Sequence, residues 1–170
     1  MSEIIALYHS PVGVLTIKAT ANSLSAVLFT KTGYNTLPEN TSTETKNHYH
    51  PIIQNCCNQL QEYFEGSRKQ FDLPLEQPGT LFQQKVWKEL LRIDYGKTIS
   101  YLELSKRIGD VKAIRAVGTT NGKNQIAIIV PCHRVIGSNG DLTGYAGELW
   151  RKKWLLEHEA KFGNGVQALF

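Results

Sequence analysis

Ile126-Ala127-Ile128-Ile129-Val130 is the stretch that most restricts what this chain can become. Five consecutive apolar residues have no polar face, so the segment must be buried, and its Ile and Val content reads as a core strand. Pro131-Cys132-His133-Arg134-Val135 follows directly, and a Gly-rich segment, Ile136 to Gly147, comes after it. A thiol is thus placed at the end of a buried strand-like segment, beside a titratable imidazole. A structural cysteine is more often surrounded by apolar residues alone. In an extended segment, adjacent side chains point to opposite faces, so a direct Cys132–His133 hydrogen bond does not follow from adjacency. The pentapeptide alone leaves a cysteine hydrolase and a cysteine transferase both open.

The chain has 170 residues, enough for one large or two small domains. Met1 to Leu7 lacks the basic-then-apolar pattern of a signal peptide, and no apolar stretch reaches membrane-spanning length. Of three cysteines, Cys56 and Cys57 are adjacent. That is no disulfide framework, and it points to a reducing cytosol. A cytoplasmic protein without a membrane partner is expected. Cys and His show no paired zinc spacing, so no metal is expected. Charge is uneven: residues 1–79 carry 5 Lys+Arg against 7 Asp+Glu, and residues 80–170 carry 14 against 8. The basic half, which holds Cys132, suits a polyanion such as nucleic acid, although a solvated basic surface would look the same.

The first half predicts three strands, Ile4–Tyr8, Val12–Ala19 and Leu24–Thr30, as a small antiparallel meander. Residues 31–50 read as a long polar loop. Pro51 opens a helix over Ile52–Phe64 that Gly66 ends, and Leu73–Gly79 reads as a linker. In the second half Thr80 caps a helix to about Ile93, with Phe82, Val86, Leu90 and Ile93 on one face. Ser100 and Glu103 have capping-box spacing ahead of a helix over Tyr101–Ile108. Gly109-Asp110 breaks the chain before a second helix, about Lys112–Thr120, which suggests a helix-turn-helix. The last helix is predicted over about Leu149–Glu159. The fold class is α+β. A small antiparallel sheet domain with a helix (1–78) precedes a mainly helical domain (79–170) with a winged-helix-like helix-turn-helix.

The second helix of that pair, Ala113 to Thr120, has few long side chains apart from Arg115. A major-groove reading helix normally carries several polar readers. Small residues such as Ala116 and Gly118 would instead let the backbone approach a minor groove, with Arg115 inserting among the bases. The same small residues also suit a close helix–helix contact.

Pro131-Cys132-His133-Arg134-Val135, with Arg115-Ala116-Val117-Gly118 and Asn124 before it and Gly144-Tyr145 and Lys153–Glu159 after it, resembles the O6-alkylguanine-DNA alkyltransferases. The match covers the C-terminal half in order; the N-terminal half fits in size and pattern, and the family makes it a ribonuclease H-like supporting domain. The resemblance implies that Cys132 accepts the alkyl group of O6-alkylguanine, and of O4-alkylthymine, in a single irreversible transfer without a cofactor. It implies a relay from Cys132 through a water to His133 and then Glu159. It makes Tyr101 the residue that drives nucleotide rotation and hydrogen-bonds the base. Arg115 becomes the finger that fills the vacated stack. Asn124 holds the turn before the thiol. The Cys132 and Val135 carbonyls accept from the guanine amino group. Tyr145 and the Ala146 backbone line the alkyl pocket, with the Ala146 amide near oxygen 6. The implied partner is double-stranded DNA containing alkylated guanine, bound by a monomer.

Gln125, where the family usually has proline, and Thr119 and Thr120, where smaller residues are common, depart from that pattern. They bear on substrate range and DNA affinity. Three other readings compete. A damage-sensing relative without activity would lack the cysteine. A helix-turn-helix regulator would need more base-reading side chains. A Cys132–His133–Glu159 hydrolase would need an oxyanion hole.

Overall fold

Alternation builds the N-terminal sheet. On β2 (Gly13–Ala19), Leu15, Ile17 and Ala19 are fully buried while the residues between them are not. It pairs antiparallel with β1 (Ile4–Ser10) and β3 (Leu24–Phe29), in the order β1-β2-β3. Ser10 closes the first turn: its hydroxyl donates to the Gly13 carbonyl at 2.6 Å and accepts from the Val12 amide at 3.2 Å. The computed structural model of the chain describes residues 3–30, 50–145 and 147–164. Most of the loop expected over residues 31–50, together with Ala146, therefore lies outside the described residues.

Helix α1 (Pro51–Glu65) starts with proline at its first position, where the missing N–H costs nothing. It ends at Gly66, whose φ of 87° is the left-handed conformation that glycine adopts without a Cβ penalty. Ile52, Ile53, Cys56, Leu60 and Tyr63 form its buried face. The segment expected as a linker is only partly one. Leu24 donates to the Pro74 carbonyl at 2.7 Å, Glu76 donates back to Leu24 at 2.9 Å, and Gln59 clasps both backbone groups of Asp72 at 2.9 Å. Residues 72–76 are thereby pinned to the sheet and to α1. The chain divides into two compact units, Met1–Gln77 and Pro78–Phe170.

The second unit begins with α2 (Leu81–Leu90), capped reciprocally by Thr80 and Gln83. The helix stops short of Ile93, which is buried in the turn that follows. β4 (Ile99–Ser100) leads into α3 (Tyr101–Arg107), where the Ser100 hydroxyl accepts from the Glu103 amide at 3.0 Å. Gly109, at φ 86°, turns the chain. Asp110 then caps a single 3₁₀ turn, Val111–Ala113, ahead of α4 (Ile114–Gly122). The second helix of the pair thus starts two residues later than expected and runs two residues further. α3 and α4 pack on each other, as do α2 and α4, and the Trp87 indole donates to the Thr120 carbonyl at 3.0 Å. β5 (Val135–Ile136) lies parallel to β4, and α5 (Leu149–Asn164) closes the unit, five residues beyond Glu159. Among the described residues no helix is long and apolar enough to cross a membrane.

The apolar run is not a strand. Residues 126–130 are fully buried but fold into tight turns, with Ile129 donating to Ala127 at 2.8 Å and Val130 to Ile126 at 3.0 Å. Ile128 sits at φ 71°, an uncommon conformation for a β-branched residue. Burial was legible in the run, but periodicity cannot distinguish a core strand from a buried turn when every residue is apolar. Asn124 supplies what a neighbouring strand would have given. Its Oδ1 accepts from the Ile126 amide at 3.2 Å, and its Nδ2 donates to the carbonyls of Val130 at 2.8 Å and Ile126 at 3.3 Å.

Candidate active site

Cys132 follows that turn at the start of a second 3₁₀ turn, Cys132–Arg134, rather than at the end of an extended strand. The Pro131 carbonyl accepts from the Arg134 amide at 3.0 Å, and the chain becomes extended only at Val135. The thiol is buried, with 6 % of the residue exposed, and its sulfur accepts from Asn124 Nδ2 at 3.2 Å. Asn124 therefore ties the preceding turn together and also touches the sulfur, a contact its sequence position did not reveal. Burial pushes the Cys132 thiol up; the Asn124 hydrogen bond and the Lys152 charge pull the other way. Cys56 and Cys57 lack such partners: burial pushes Cys56 far above the ordinary thiol range and Cys57 to about 11.

His133 does not turn toward the sulfur for a direct bond. Its Nε2 meets Glu159 Oε2 at 2.6 Å, and both residues are at most 1 % exposed. Glu159 is therefore no exposed helix-end carboxylate. Its other oxygen accepts from Arg134 Nε at 2.7 Å and from the Gly96 amide at 3.4 Å. Arg134 also donates to the Ile93 carbonyl at 2.6 Å, and its guanidinium lies 5.7 Å from the centre of the Tyr95 ring. An ionised carboxylate only accepts, so Nε2 of His133 carries the proton and Nδ1 is the basic nitrogen. Among the described residues, Nδ1 is buried with no hydrogen-bond partner. Burial lowers the His133 pKa, with Glu159 opposing, so the ring is neutral at neutral pH. Burial alone would raise the Glu159 carboxyl, but His133 and Arg134 outweigh it and hold it well below the carboxylate range.

These shifts give a stability prediction. A histidine with a depressed folded pKa binds protons better when unfolded, so stability falls as pH drops below its ordinary 6.5. A carboxylate with a depressed folded pKa contributes stability above its ordinary 4.5 that is lost on further acidification. The melting temperature is expected to decline from about pH 6.5 and to fall more steeply below about pH 4.5. Calorimetry across pH 3–8 checks this, and a melting temperature flat across the range would contradict it.

Lys152, on α5, is fully buried and was read in the sequence only as part of the basic excess. Its ammonium donates to the Val135 carbonyl at 2.6 Å and the Thr143 carbonyl at 2.9 Å, and lies 5.8 Å from the centre of the Tyr101 ring. Burial lowers its pKa to about 8, with the nearby Cys132 opposing. The Tyr101 hydroxyl donates to the same Thr143 carbonyl at 3.0 Å. Lys152 thus joins β5, the Gly-rich loop and the thiol's surroundings. Arg134, Arg151 and Lys152 are all buried, so the net positive charge of this half is not wholly a surface property. Tyr145 has a buried hydroxyl whose ionisation is strongly disfavoured, by burial first and then by the charges of Cys132 and Glu159.

Arg115 and Ala116 are exposed on α4, while Gly118 packs toward the Tyr101 ring, with its ideal Cβ position 3.8 Å from Tyr101 Cδ1. Of the two threonines that stand where smaller residues are common in the family, only Thr119 is exposed. Thr120 is buried against Trp87, so its side chain adds nothing to the surface. Gln125 is exposed, with its amide donating to the Lys123 carbonyl at 3.3 Å. Asn121, which the sequence reading passed over, is 2 % exposed and donates from Nδ2 to the Cys132 carbonyl at 3.3 Å.

Residues 4–77 match the family described as 6-O-methylguanine DNA methyltransferase, ribonuclease-like domain, and residues 81–161 match its DNA binding domain. The chain is 45 % identical over 153 residues to the methylated-DNA–protein-cysteine methyltransferase of Mycobacterium tuberculosis strain H37Rv, covering 88 % of each. It is 45 % identical over 139 residues to the constitutive methylated-DNA–protein-cysteine methyltransferase of Bacillus subtilis, covering 82 % of this chain and 84 % of the relative. The crystal structure of the Mycobacterium tuberculosis O6-methylguanine methyltransferase superposes with a TM-score of 0.81 at 41 % identity, covering 95 % of both chains. A crystal structure of the Mycobacterium tuberculosis OGT in complex with DNA gives 0.77 at 43 % identity, covering 93 % of both. With a buried, hydrogen-bonded thiol beside a His133–Glu159 pair, and with both halves matched, this chain belongs to the 6-O-methylguanine DNA methyltransferase family.

Proposed function

We propose that this protein repairs alkylated DNA by moving the alkyl group from oxygen 6 of guanine directly to Cys132. The observation that carries the reading is the thiol itself: its sulfur accepts from the Asn124 amide, and His133 and Glu159 pair within the next turn and the last helix. A hydrolase with the same residues would need its base in contact with the nucleophile. Here the imidazole's Nδ1 is the acceptor for a proton relayed through one water.

The thiol proton passes by that water to Nδ1, and Glu159 stabilises the imidazolium that forms. The thiolate attacks the alkyl carbon in line with the carbon–oxygen bond. A sulfur–carbon bond forms, the carbon–oxygen bond breaks, and its electron pair goes to oxygen 6. The base then takes up a proton as ordinary guanine. The product thioether has no leaving route, so each molecule acts once, and the reaction needs no cofactor.

Residues 1–78 serve as a supporting domain and residues 79–170 as the DNA-binding and alkyl-acceptor domain. Arg115, Ala116 and Gly118 lie on the helix assigned to the minor groove, and the damaged nucleotide is rotated out of the stack past Tyr101. The Cys132 and Val135 carbonyls accept from its amino group, Asn124 holds the turn, and Tyr145 with the Ala146 backbone lines the alkyl pocket. O4-alkylthymine is the second substrate. The protein works in the cytoplasm as a monomer.

Incubation with an O6-methylguanine duplex and peptide mapping by mass spectrometry tests the assignment. One methyl group on the Cys132 peptide, with one equivalent of repair and no turnover, is the expected result. An unmodified Cys132, or repeated turnover, overturns it. Arg115→Ala is expected to slow transfer from duplex DNA roughly ten- to a hundredfold, because the base gap is left open. Transfer from the free O6-benzylguanine base should stay within about twofold, since no stack must be filled. Equal loss on both would place Arg115 in the fold instead.

A further inference from the structure

Asn121 sits between two groups assigned to the damaged base. Its Nδ2 donates to the Cys132 carbonyl at 3.3 Å, and its side chain is also a hydrogen-bond neighbour of the Tyr101 hydroxyl. A carbonyl only accepts, so the amide nitrogen must face Cys132 and the amide oxygen must turn away from it. That oxygen, on a residue 2 % exposed, is buried and has no hydrogen-bond partner among the described residues. Buried amide oxygens are rarely left so, because losing water without gaining a donor is costly.

The two backbone carbonyls assigned to the base are already engaged. The Cys132 carbonyl accepts from the Val135 amide and from Asn121, and the Val135 carbonyl accepts from the Lys152 ammonium at 2.6 Å. Those carbonyls therefore take the amino group as an additional, shared contact, which leaves room for a further acceptor beside them. O6-alkylguanine carries one kind of donor on its base edge, the exocyclic 2-amino group; N1 bears no hydrogen while oxygen 6 is alkylated.

We propose that Asn121 is a specificity-determining residue, its Oδ1 accepting a hydrogen bond from the 2-amino group of the extruded alkylguanine. This rests on the alkylguanine reading above. Asn121 then does two things with one amide: its nitrogen fixes the backbone and phenol that flank the base, and its oxygen tests for an amino group. O4-alkylthymine has no such group and gains nothing from the oxygen.

The test compares single-turnover transfer from two duplexes, one containing O6-methylguanine and one containing O6-methylhypoxanthine, which differs only in lacking the 2-amino group. Wild-type protein is expected to favour O6-methylguanine. In Asn121→Leu that preference should fall about tenfold, the loss coming from the methylguanine duplex, as when a site built to hydrogen-bond a substrate group loses the bond. A change that merely loosens the fold slows both duplexes alike and leaves the ratio unchanged. Asn121→Ala is measured in parallel, so that a leucine variant that fails to fold does not stop the comparison. A ratio at the wild-type value in the folded variants overturns the proposal. Absence of methyl on wild-type Cys132 after incubation with the O6-methylguanine duplex overturns the reading beneath it instead.

Discussion

Cys132→Ala is expected to keep DNA binding within about twofold of wild type while reducing alkyl transfer to background. The first half follows from where the sulfur lies. It is buried at the end of a turn, whereas the exposed residues assigned to DNA, Arg115 and Ala116, stand on α4. Removing one sulfur atom forfeits the Asn124 contact, which costs on the order of 1 kcal/mol. The second half follows from chemistry. Transfer needs a thiol set among the residues assigned to the base, and the two other cysteines, Cys56 and Cys57, stand on α1 in the first unit. A gel shift on methylated duplex and transfer of a radiolabelled methyl group measure the two halves separately. Label on the alanine variant would end the assignment of Cys132 as acceptor.

Glu159→Gln carries the second large effect, and it acts on two observables. The carboxylate holds His133 at 2.6 Å and Arg134 at 2.7 Å, all three side chains being nearly or fully buried. A glutamine cannot neutralise Arg134 and can present an N–H toward Nε2, which favours the wrong tautomer. Breaking a buried pair by removing one charge typically costs about 3–5 kcal/mol, so the melting temperature should fall markedly. With the ring proton moved to Nδ1 and no carboxylate to stabilise the imidazolium, His133 no longer receives the thiol proton well, which should slow transfer by about 10²–10³-fold, within the usual worth of general acid–base catalysis. The rate loss should shrink as pH rises, because hydroxide removes the thiol proton without the relay. A rate loss independent of pH would mean that Glu159 acts only through stability. The double variant Arg134→Met with Glu159→Gln should recover part of the stability and none of the rate, which separates the two roles.

Local signals in the sequence located the helix ends that carry a cap or a proline, and missed the uncapped ends of α2 and α5. Pro51 and Gly66 bound α1, Thr80 caps α2 and Ser100 caps α3, because a cap is made by residues one to three positions apart. The ordered motif from Arg115 to Glu159 pointed to residues that the fold brings together, Asn124 with Cys132 and His133 with Glu159. What stayed hidden depends on contacts between distant residues. Ile126–Val130 is buried as expected, yet its backbone is satisfied by a side chain two residues upstream rather than by a neighbouring strand. Lys152 looks like one more surface cation in Arg151-Lys152-Lys153. Only the Val135 and Thr143 carbonyls, brought from seventeen and nine residues away, turn it inward. Arg134 belongs to the Pro131–Val135 motif, but its pairing with Glu159 depends on how α5 approaches the turn.

The Asn124 clasp gives single use a thermodynamic side. One amide nitrogen holds the Val130 and Ile126 carbonyls and the sulfur, while Ile128 between them stands in a conformation its branched side chain resists. A thioether is a poorer acceptor than a thiolate, so alkylation weakens the bond that the amide makes to the sulfur. After the proposed transfer, the turn from Ile126 to Val130 is expected to be held less firmly than before it. Repair and wear would then be recorded in one place: a copy that has done its work is expected to melt below a fresh one, distinguishable by its fold as well as by its mass.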